Sequence, residues 1–376
     1  MAGLYFHIPF CRQKCSYCDF YSIEACQAEV QSYPGLLRKH LAWVAEQGRK
    51  ELINSIYFGG GTPSLLTPEM IASIIQTADH HFLISANAEI TLEANPGAVS
   101  KSSFGEYRNA GVNRLSLGLQ SCNDDQLAKL GRLHNRDEGI AAYKAARKAG
   151  FDDISLDLMF ALPDQTIAEL ETDLHTYLAL APEHLSCYGL TAEPETPLHR
   201  KVTEGIMALP DEDFYAEAFM RIHDRLTAAG YDHYEIANFA LDGYSSRHNM
   251  GYWQRRPYLG IGAGAHSFQD DQWGSRWEVP ANLSAYNQDL QDRQEPMRCI
   301  ETFNRESAMR ETIYLALRTR QGINDSEFQK RFGLTLQEAF PEAVEASAQW
   351  LVNDAGRWSL TPSGWLIFDH LILAFL

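Results

Sequence analysis

Three cysteines lie within the first 18 residues, in the run His7-Ile8-Pro9-Phe10-Cys11-Arg12-Gln13-Lys14-Cys15-Ser16-Tyr17-Cys18. Thiolates bind soft metal centres, and this spacing places three of them on one short loop. A [4Fe–4S] cluster normally takes four, one per iron. Three would leave one iron open to a non-protein ligand, and that opening is where reductive chemistry or a cofactor could enter. The same residues also allow a zinc site completed by Cys26 or His7. A c-type haem attachment is excluded locally, because Asp19 rather than His follows Cys18. Cys122, Cys187 and Cys299 read as ordinary semi-buried residues.

Those residues need a frame to hold them. Short β-rich runs alternate with helical stretches through the first half of the chain. Strands are expected at Leu4–Ile8, Ser55–Phe58, Glu89–Leu92, Arg114–Leu119, Ile154–Phe160 and His184–Leu190. Helices are expected over Tyr33–Arg49, after Thr67-Pro68, from near Ser100, after Asn123, over Asp137–Ala149 and after Thr166. Six strand-then-helix units in series predict a parallel sheet with right-handed crossovers. An open doubly wound sheet and a partial barrel both fit, and the count falls short of the eight units of a closed barrel. The unusual residues recur at one place in each unit. The cysteine loop follows strand one and Gly59-Gly60-Gly61-Thr62-Pro63 follows strand two. Glu93 ends strand three, Gln120 ends strand four and Asp157 lies in strand five. Parallel α/β folds build their sites at that strand edge.

After about Pro210 the pattern changes. Asp211–Ala229 reads as a helix, and Tyr231–Trp277 as a loop-rich aromatic stretch. The chain divides on this reading into a core over 1–230, an aromatic and Gly-rich connecting region over 231–300, and a mainly helical unit over 301–376. The last unit is expected to carry a small β-ribbon at Gly356–Leu360 and, at Trp365–Leu376, a core-facing helix.

Bulk properties narrow the function classes. A formal net charge of −17 argues against a nucleic-acid surface or a polybasic membrane contact. Arg247, Arg255 and Arg256 form a local exception. Seven cysteines, an odd count in a long chain without a secretory leader pattern, predict reduced thiols and a cytoplasmic setting. No stretch reaches the roughly 18 apolar residues of a membrane span.

The cysteine motif, with Tyr17 before its last cysteine, resembles that of the radical S-adenosylmethionine (SAM) superfamily. Tyr5-Phe6-His7-Ile8-Pro9-Phe10-Cys11, Phe58-Gly59-Gly60-Gly61-Thr62-Pro63, Leu117-Gly118-Leu119-Gln120-Ser121 and Leu158-Met159-Phe160-Ala161-Leu162-Pro163 are similar to oxygen-independent coproporphyrinogen III oxidase and its relatives over nearly the whole chain. The resemblance implies a partial (β/α)6 radical SAM barrel, with a winged-helix-like C-terminal unit. Cys11, Cys15 and Cys18 would ligate three irons, and SAM would chelate the fourth. Tyr5, Tyr17, Gly60, Gly61, Thr62, Glu93, Gln120, Arg132 and Asp157 match SAM-contacting positions, the glycines by letting backbone approach the methionyl part. Thr191 is the weakest positional match.

Within this group three features resemble the HemW-type haem chaperones rather than the oxidase. Phe20 stands where the oxidase has a further cysteine. Only four residues precede Tyr5, where the oxidase has a long arm. His248-Asn249-Met250-Gly251-Tyr252-Trp253 matches H-N-x-x-Y-W. That hexapeptide would bind haem through His248, with His266 and His7 as other candidate ligands. Tyr252 and Trp253 would stack on the porphyrin, and Arg247, Arg255 and Arg256 would pair with its propionates. Without the resemblance, the preferred reading is that Tyr252 and Trp253 pack a domain seam and that His248 hydrogen-bonds locally. The implied function is delivery of haem to respiratory haem proteins, with homodimerisation and weak or indirect membrane association at the inner face. The alternative is oxidase-like oxidative decarboxylation of a porphyrinogen.

Overall fold

The computed structural model describes residues 1–48 and 51–376. Its main element is a twelve-stranded mixed sheet. Strands β1 (Ala2–Ile8), β2 (Leu52–Gly60), β3 (Leu83–Ala94), β4 (Arg114–Gln120), β5 (Ile154–Phe160) and β6 (His184–Gly189) run parallel and pair in chain order. Strands flanked by helices on their outer face and by a packed site within are buried on both sides, so they read as near-continuous apolar runs. All seven residues of β4 are buried, and Leu4, Phe6 and Ile8 of β1 have no exposed surface. The Phe6 and Phe58 rings stack with centroids 4.9 Å apart across the β1–β2 pair.

Helices α1 (Gln27–Glu46), α2 (Pro68–His81), α3 (Ser103–Asn109), α4 (Asp124–Leu130), α5 (Arg136–Lys148) and α6 (Ile167–Leu180) occupy the crossovers. Their starts follow local chemistry. Thr67 accepts from the Met70 amide with Pro68 at the first position, and Asn123 caps α4. Asn135 with Glu138 and Thr166 with Glu169 form capping boxes on α5 and α6. Helix α1 begins six residues before the expected Tyr33, because Pro34 sits inside the helix rather than opening it. Its expected end at Arg49 lies outside the described residues; the helix itself closes at Glu46.

The stretch expected to be loop-rich departs further from expectation. The short helix α7 (Pro197–Thr203) and the 17-residue α8 (Glu212–Ala228), the helix expected over Asp211–Ala229, lead into strands β7 (Asp232–Glu235) and β8 (Asn238–Ala240), which add antiparallel to the β6 edge. Helix α9 (Arg247–Trp253) then brings the chain back to the opposite edge. There β9 (Tyr258–Ile261) pairs parallel with β1, and β10 (His266–Gln269), β11 (Ser275–Glu278) and β12 (Arg298–Thr302) extend the sheet antiparallel. The order is β12-β11-β10-β9-β1-β2-β3-β4-β5-β6-β8-β7, an open array around the six-unit core. Strands of four residues or fewer, broken by glycines, carry too short an alternation to show in sequence.

The last segment packs α10 (Arg305–Ala316) and further short helices against a three-stranded ribbon whose hairpin joins Leu351–Asp354 to Arg357–Leu360. The expected final helix is broken at Ile367 into Pro362–Leu366 and Phe368–Ile372. Its apolar side still faces inward, with Trp365, Phe368, Leu371 and Phe375 buried.

Candidate functional site

The cysteine loop is fastened from both sides. The Ile23 amide donates to Pro9 O at 2.7 Å and the Ala25 amide to Cys11 O at 2.8 Å. From the end of β2, the Gly61 amide donates to Ile8 O at 2.9 Å and the Thr62 amide to Phe10 O at 2.7 Å. The glycines earn their place against this loop. A Cβ on Gly60, whose φ is +113°, would lie 2.7 Å from the His7 ring. A Cβ on Gly61 would lie 2.7 Å from Phe10 O and 3.0 Å from Cys11 Sγ. The triple glycine therefore makes room first for the cysteine loop. A Gly61→Ala chain is expected to fold yet to hold at most half the iron of the wild type after anaerobic reconstitution, because Cys11 must move; undiminished iron content would refute this role.

Cys11, Cys15 and Cys18 open onto a cavity of about 370 Å³, lined also by Tyr17, Gly60, Gly61, Thr62, Glu93, Gln120, Arg132 and Asp157. Eleven of the thirteen positions named from the sequence for cluster and SAM, Thr191 included, thus converge on one space. The other two do not. Tyr5 faces a neighbouring cavity and hydrogen-bonds His7, its hydroxyl 3.1 Å from Nδ1. Thr191 is exposed and donates to Glu193 at 2.8 Å.

The donor set fits a multinuclear cluster better than one ion. Among the described residues, no three His, Cys, Asp or Glu side chains converge on a point that a single metal could occupy. Ligands that each take a different iron need not converge. The two helpers proposed for zinc are also poorly placed. His7 Nε2 is engaged with Tyr21 O at 2.9 Å, and Cys26 is exposed as the N-cap residue of α1. Donors reach the sulfurs: Thr62 Oγ1 lies 3.6 Å from Cys11 Sγ and Arg132 Nη1 lies 3.6 Å from Cys15 Sγ. Both soften the negative charge that metal-bound thiolates bring. Burial pushes the Cys18 thiol up to about 11, so metal uptake there releases a proton.

The far wall is acidic and undercompensated. Glu93 accepts from the Tyr57 hydroxyl at 2.8 Å, and burial still lifts its carboxyl to about 7. Asp157 accepts from Ser116 Oγ at 3.2 Å, and burial lifts it to about 6. Gly118 lets the polar groups meet, since a Cβ there would lie 3.0 Å from Gln120 Nε2 and 3.2 Å from Arg132 Nη2. Gln120 itself takes a left-handed φ of 68° at the strand end. Two carboxyls held above their ordinary range beside three thiols form a cavity suited to a ligand carrying positive charge.

Tyr57, Ser116 and Ser186 were not singled out in the sequence. Ser116 alternates with Gln120 along β4, which was the available signal for it; Tyr57 and Ser186 sit on other strands and are brought in by register, Ser186 opposite Asp157. Asn249 also lines this cavity.

The hexapeptide expected to hold haem is arranged differently from the expectation. It forms α9, whose first two amides donate to the buried Glu89 carboxylate at 2.9 and 3.0 Å. His248 is buried, with Nδ1 2.9 Å from Ser55 Oγ and Nε2 2.8 Å from the Tyr252 hydroxyl. Its ring lies on Tyr57, centroids 5.0 Å apart, and burial pushes its pKa down to about 3. Neither nitrogen is open to a metal in this arrangement. Trp253 packs under Arg318, 4.7 Å from ring centroid to guanidinium. Of the three arginines expected to meet propionates, Arg255 pairs with Glu311 and sits over Phe268 and Phe303, while Arg247 lies 3.8 Å from Glu89. Arg256 remains exposed.

The fold, the C-x3-C-x2-C loop and the carboxylates across from it define a radical SAM protein, a class built on SAM and a [4Fe–4S] cluster. Residues 5–176 match the Radical SAM superfamily and residues 303–367 match the HemN C-terminal domain. The E. coli coproporphyrinogen III oxidase (HemN) superposes with a TM-score of 0.86 at 22% identity, over 100% of this chain and 89% of that one, which establishes the shared fold. The chain belongs to the HemW family. It is 37% identical to the "Heme chaperone HemW" of Escherichia coli K12 over 100% of this chain and 98% of the relative, and 34% identical to that of Bacillus subtilis 168 over 100% and 99%. A zebrafish (Danio rerio) protein, "Radical S-adenosyl methionine domain-containing protein 1, mitochondrial", is 32% identical over 87% of this chain and 75% of its own length. No described helix is long and apolar enough to cross a membrane.

Proposed function

We propose that this chain is a haem chaperone that carries a [4Fe–4S] cluster on Cys11, Cys15 and Cys18, binds SAM opposite it, and takes haem as cargo for haem proteins. The full-length identity to proteins named heme chaperones is the observation that carries the reading. Glu93, Asp157, Gln120 and Arg132 would hold the amino, carboxylate and sulfonium parts of SAM, and Tyr17 its flank. When bound, cluster and SAM together supply one-electron reductive chemistry; the protein's part is to orient SAM and exclude water around the carboxyls. Respiratory haem proteins as clients, a homodimer and peripheral association with the inner membrane face belong to the same proposal. The net charge of −17 makes any membrane contact depend on a partner rather than on anionic lipid.

The test has two arms. Haemin titrated into the anaerobically reconstituted chain should saturate near one haem per chain. The same preparation, given coproporphyrinogen III, SAM and a reductant, should form no protoporphyrinogen. Turnover without tight haem binding would replace the chaperone with an oxidase.

A further inference from the structure

Helix α9 borders two cavities. Asn249 lines the one that holds the cysteines, and Tyr252, three residues on, lines a second cavity of about 390 Å³. The wall between them is a stack of rings. Tyr5 and Tyr57 lie 6.2 Å apart, His248 sits 5.0 Å from Tyr57 and 4.9 Å from Tyr252, and Tyr252 meets Tyr258 edge-on at 4.5 Å. Phe20 borders both cavities and is 65% exposed. A volume near 400 Å³ lies in the usual range of roughly 300–1,000 Å³ for small-molecule sites.

Aromatic rings make up much of the second cavity's lining. Tyr5, Tyr21, Tyr252 and Tyr258 line it. Tyr21 is fixed by its hydroxyl, which accepts from the Leu283 amide at 3.0 Å, and by stacking on His7 at 6.0 Å. Gly264, with φ +82°, exists to admit that ring: a Cβ there would lie 2.8 Å from Tyr21 Cδ1. Two histidines border the space and differ in one respect. His7 has both nitrogens engaged, with Tyr5 and with Tyr21 O. His266, at the start of β10, is exposed at the cavity rim, and among the described residues its ring has no side-chain hydrogen bond; partial desolvation and Arg276 lower its pKa against the pull of Glu278. A neutral imidazole with an unengaged nitrogen is the common ligand of porphyrin iron. The charged groups at this cavity are the carboxyls Asp19 and Glu278, and Glu278 is paired with Arg298. Propionates would therefore stay outside, in solvent, with the apolar edge of the macrocycle inward.

We infer that the second cavity is the cargo site and that His266 ligates the iron of the bound porphyrin, with the His248–Tyr252 helix serving as the wall between cargo and SAM. The inference rests on the haem-chaperone reading and assigns that cargo a place. Haemin titration of the full reconstituted chain tests it, using His266→Ala, His266→Cys and His248→Ala beside the wild type. His266→Ala should bind haemin at least tenfold more weakly and lose the wild-type Soret band, and millimolar imidazole should restore that band. His266→Cys should move the band to that of a thiolate-ligated haem. His248→Ala should keep the wild-type band. A His266→Ala chain that titrates like the wild type overturns the assignment and leaves the chaperone reading standing. A wild-type chain that binds no haemin overturns both.

Discussion

A Cys15→Ala chain, reconstituted anaerobically, is expected to hold less than one iron where the wild type holds about four, and to be colourless. Cys15 is the middle thiol of the three and the one reached by Arg132 at 3.6 Å. Losing it removes one corner of the ligand set and one partner of the half-buried Arg132 guanidinium, which keeps Gly118 O at 2.6 Å and Tyr17. SAM affinity should fall with the iron, since the cluster completes its site. Cys299→Ala is the matched control. That thiol is exposed on β12, and its hydrogen-bond partners among the described residues are Glu301 O and Thr302, at 3.5 and 3.6 Å. Iron retained by Cys15→Ala at the level of Cys299→Ala would sink the cluster assignment.

The second large effect is electrostatic and has a definite sign. Burial holds Glu93 near 7 and Asp157 near 6. A cationic ligand favours their ionised forms, so binding below these values must expel protons. SAM should therefore bind tightest above pH 7 and lose affinity as the pH falls through 7 toward 6, by at most about tenfold per unit for each group. Equilibrium dialysis at pH 8 and pH 6 should show about five- to tenfold weaker binding at the lower pH. Glu93→Gln keeps the shape and removes the charge. It should weaken binding at pH 8 by roughly 10–100-fold, the range of a lost charge-assisted hydrogen bond, and flatten the pH profile. A wild-type affinity that does not change between the two pH values contradicts this account.

How far the sequence revealed this site depends on the element. The cysteine loop, Gly60–Thr62, Glu93 and Gln120 were readable because each follows or ends a strand with a clear apolar run, and Asp157 because it is a lone charge within one; a parallel sheet brings such positions together. Arg132 was reached only through family resemblance, as it lies in a turn after α4. The second half was harder. Strands β7 to β11 have three or four residues each, and their partners lie far away in sequence, as with Tyr258 beside Gly3. Nothing local records such pairing. The aromatic hexapeptide was noticed, yet its orientation was not, because whether His248 faces a ligand or Ser55 depends on how α9 is hung from Glu89. Tyr5 shows the same limit: its strand was right, and the cavity it faces was decided by the fold.

The fastening of the cysteine loop bears on how the protein matures. Hydrogen bonds to Pro9, Phe10 and Cys11 on one flank, and from the Ser16 amide to Leu130 O and the Leu198 amide to Ser16 O on the other, involve backbone alone. Their donors and acceptors are all protein groups, so forming them needs no iron. The loop's ordering entropy is thus met when the chain folds rather than when metal arrives. A newly made chain can stand ready and receptive, so iron and sulfide delivered long after synthesis would find a finished berth rather than a loose strand to be gathered.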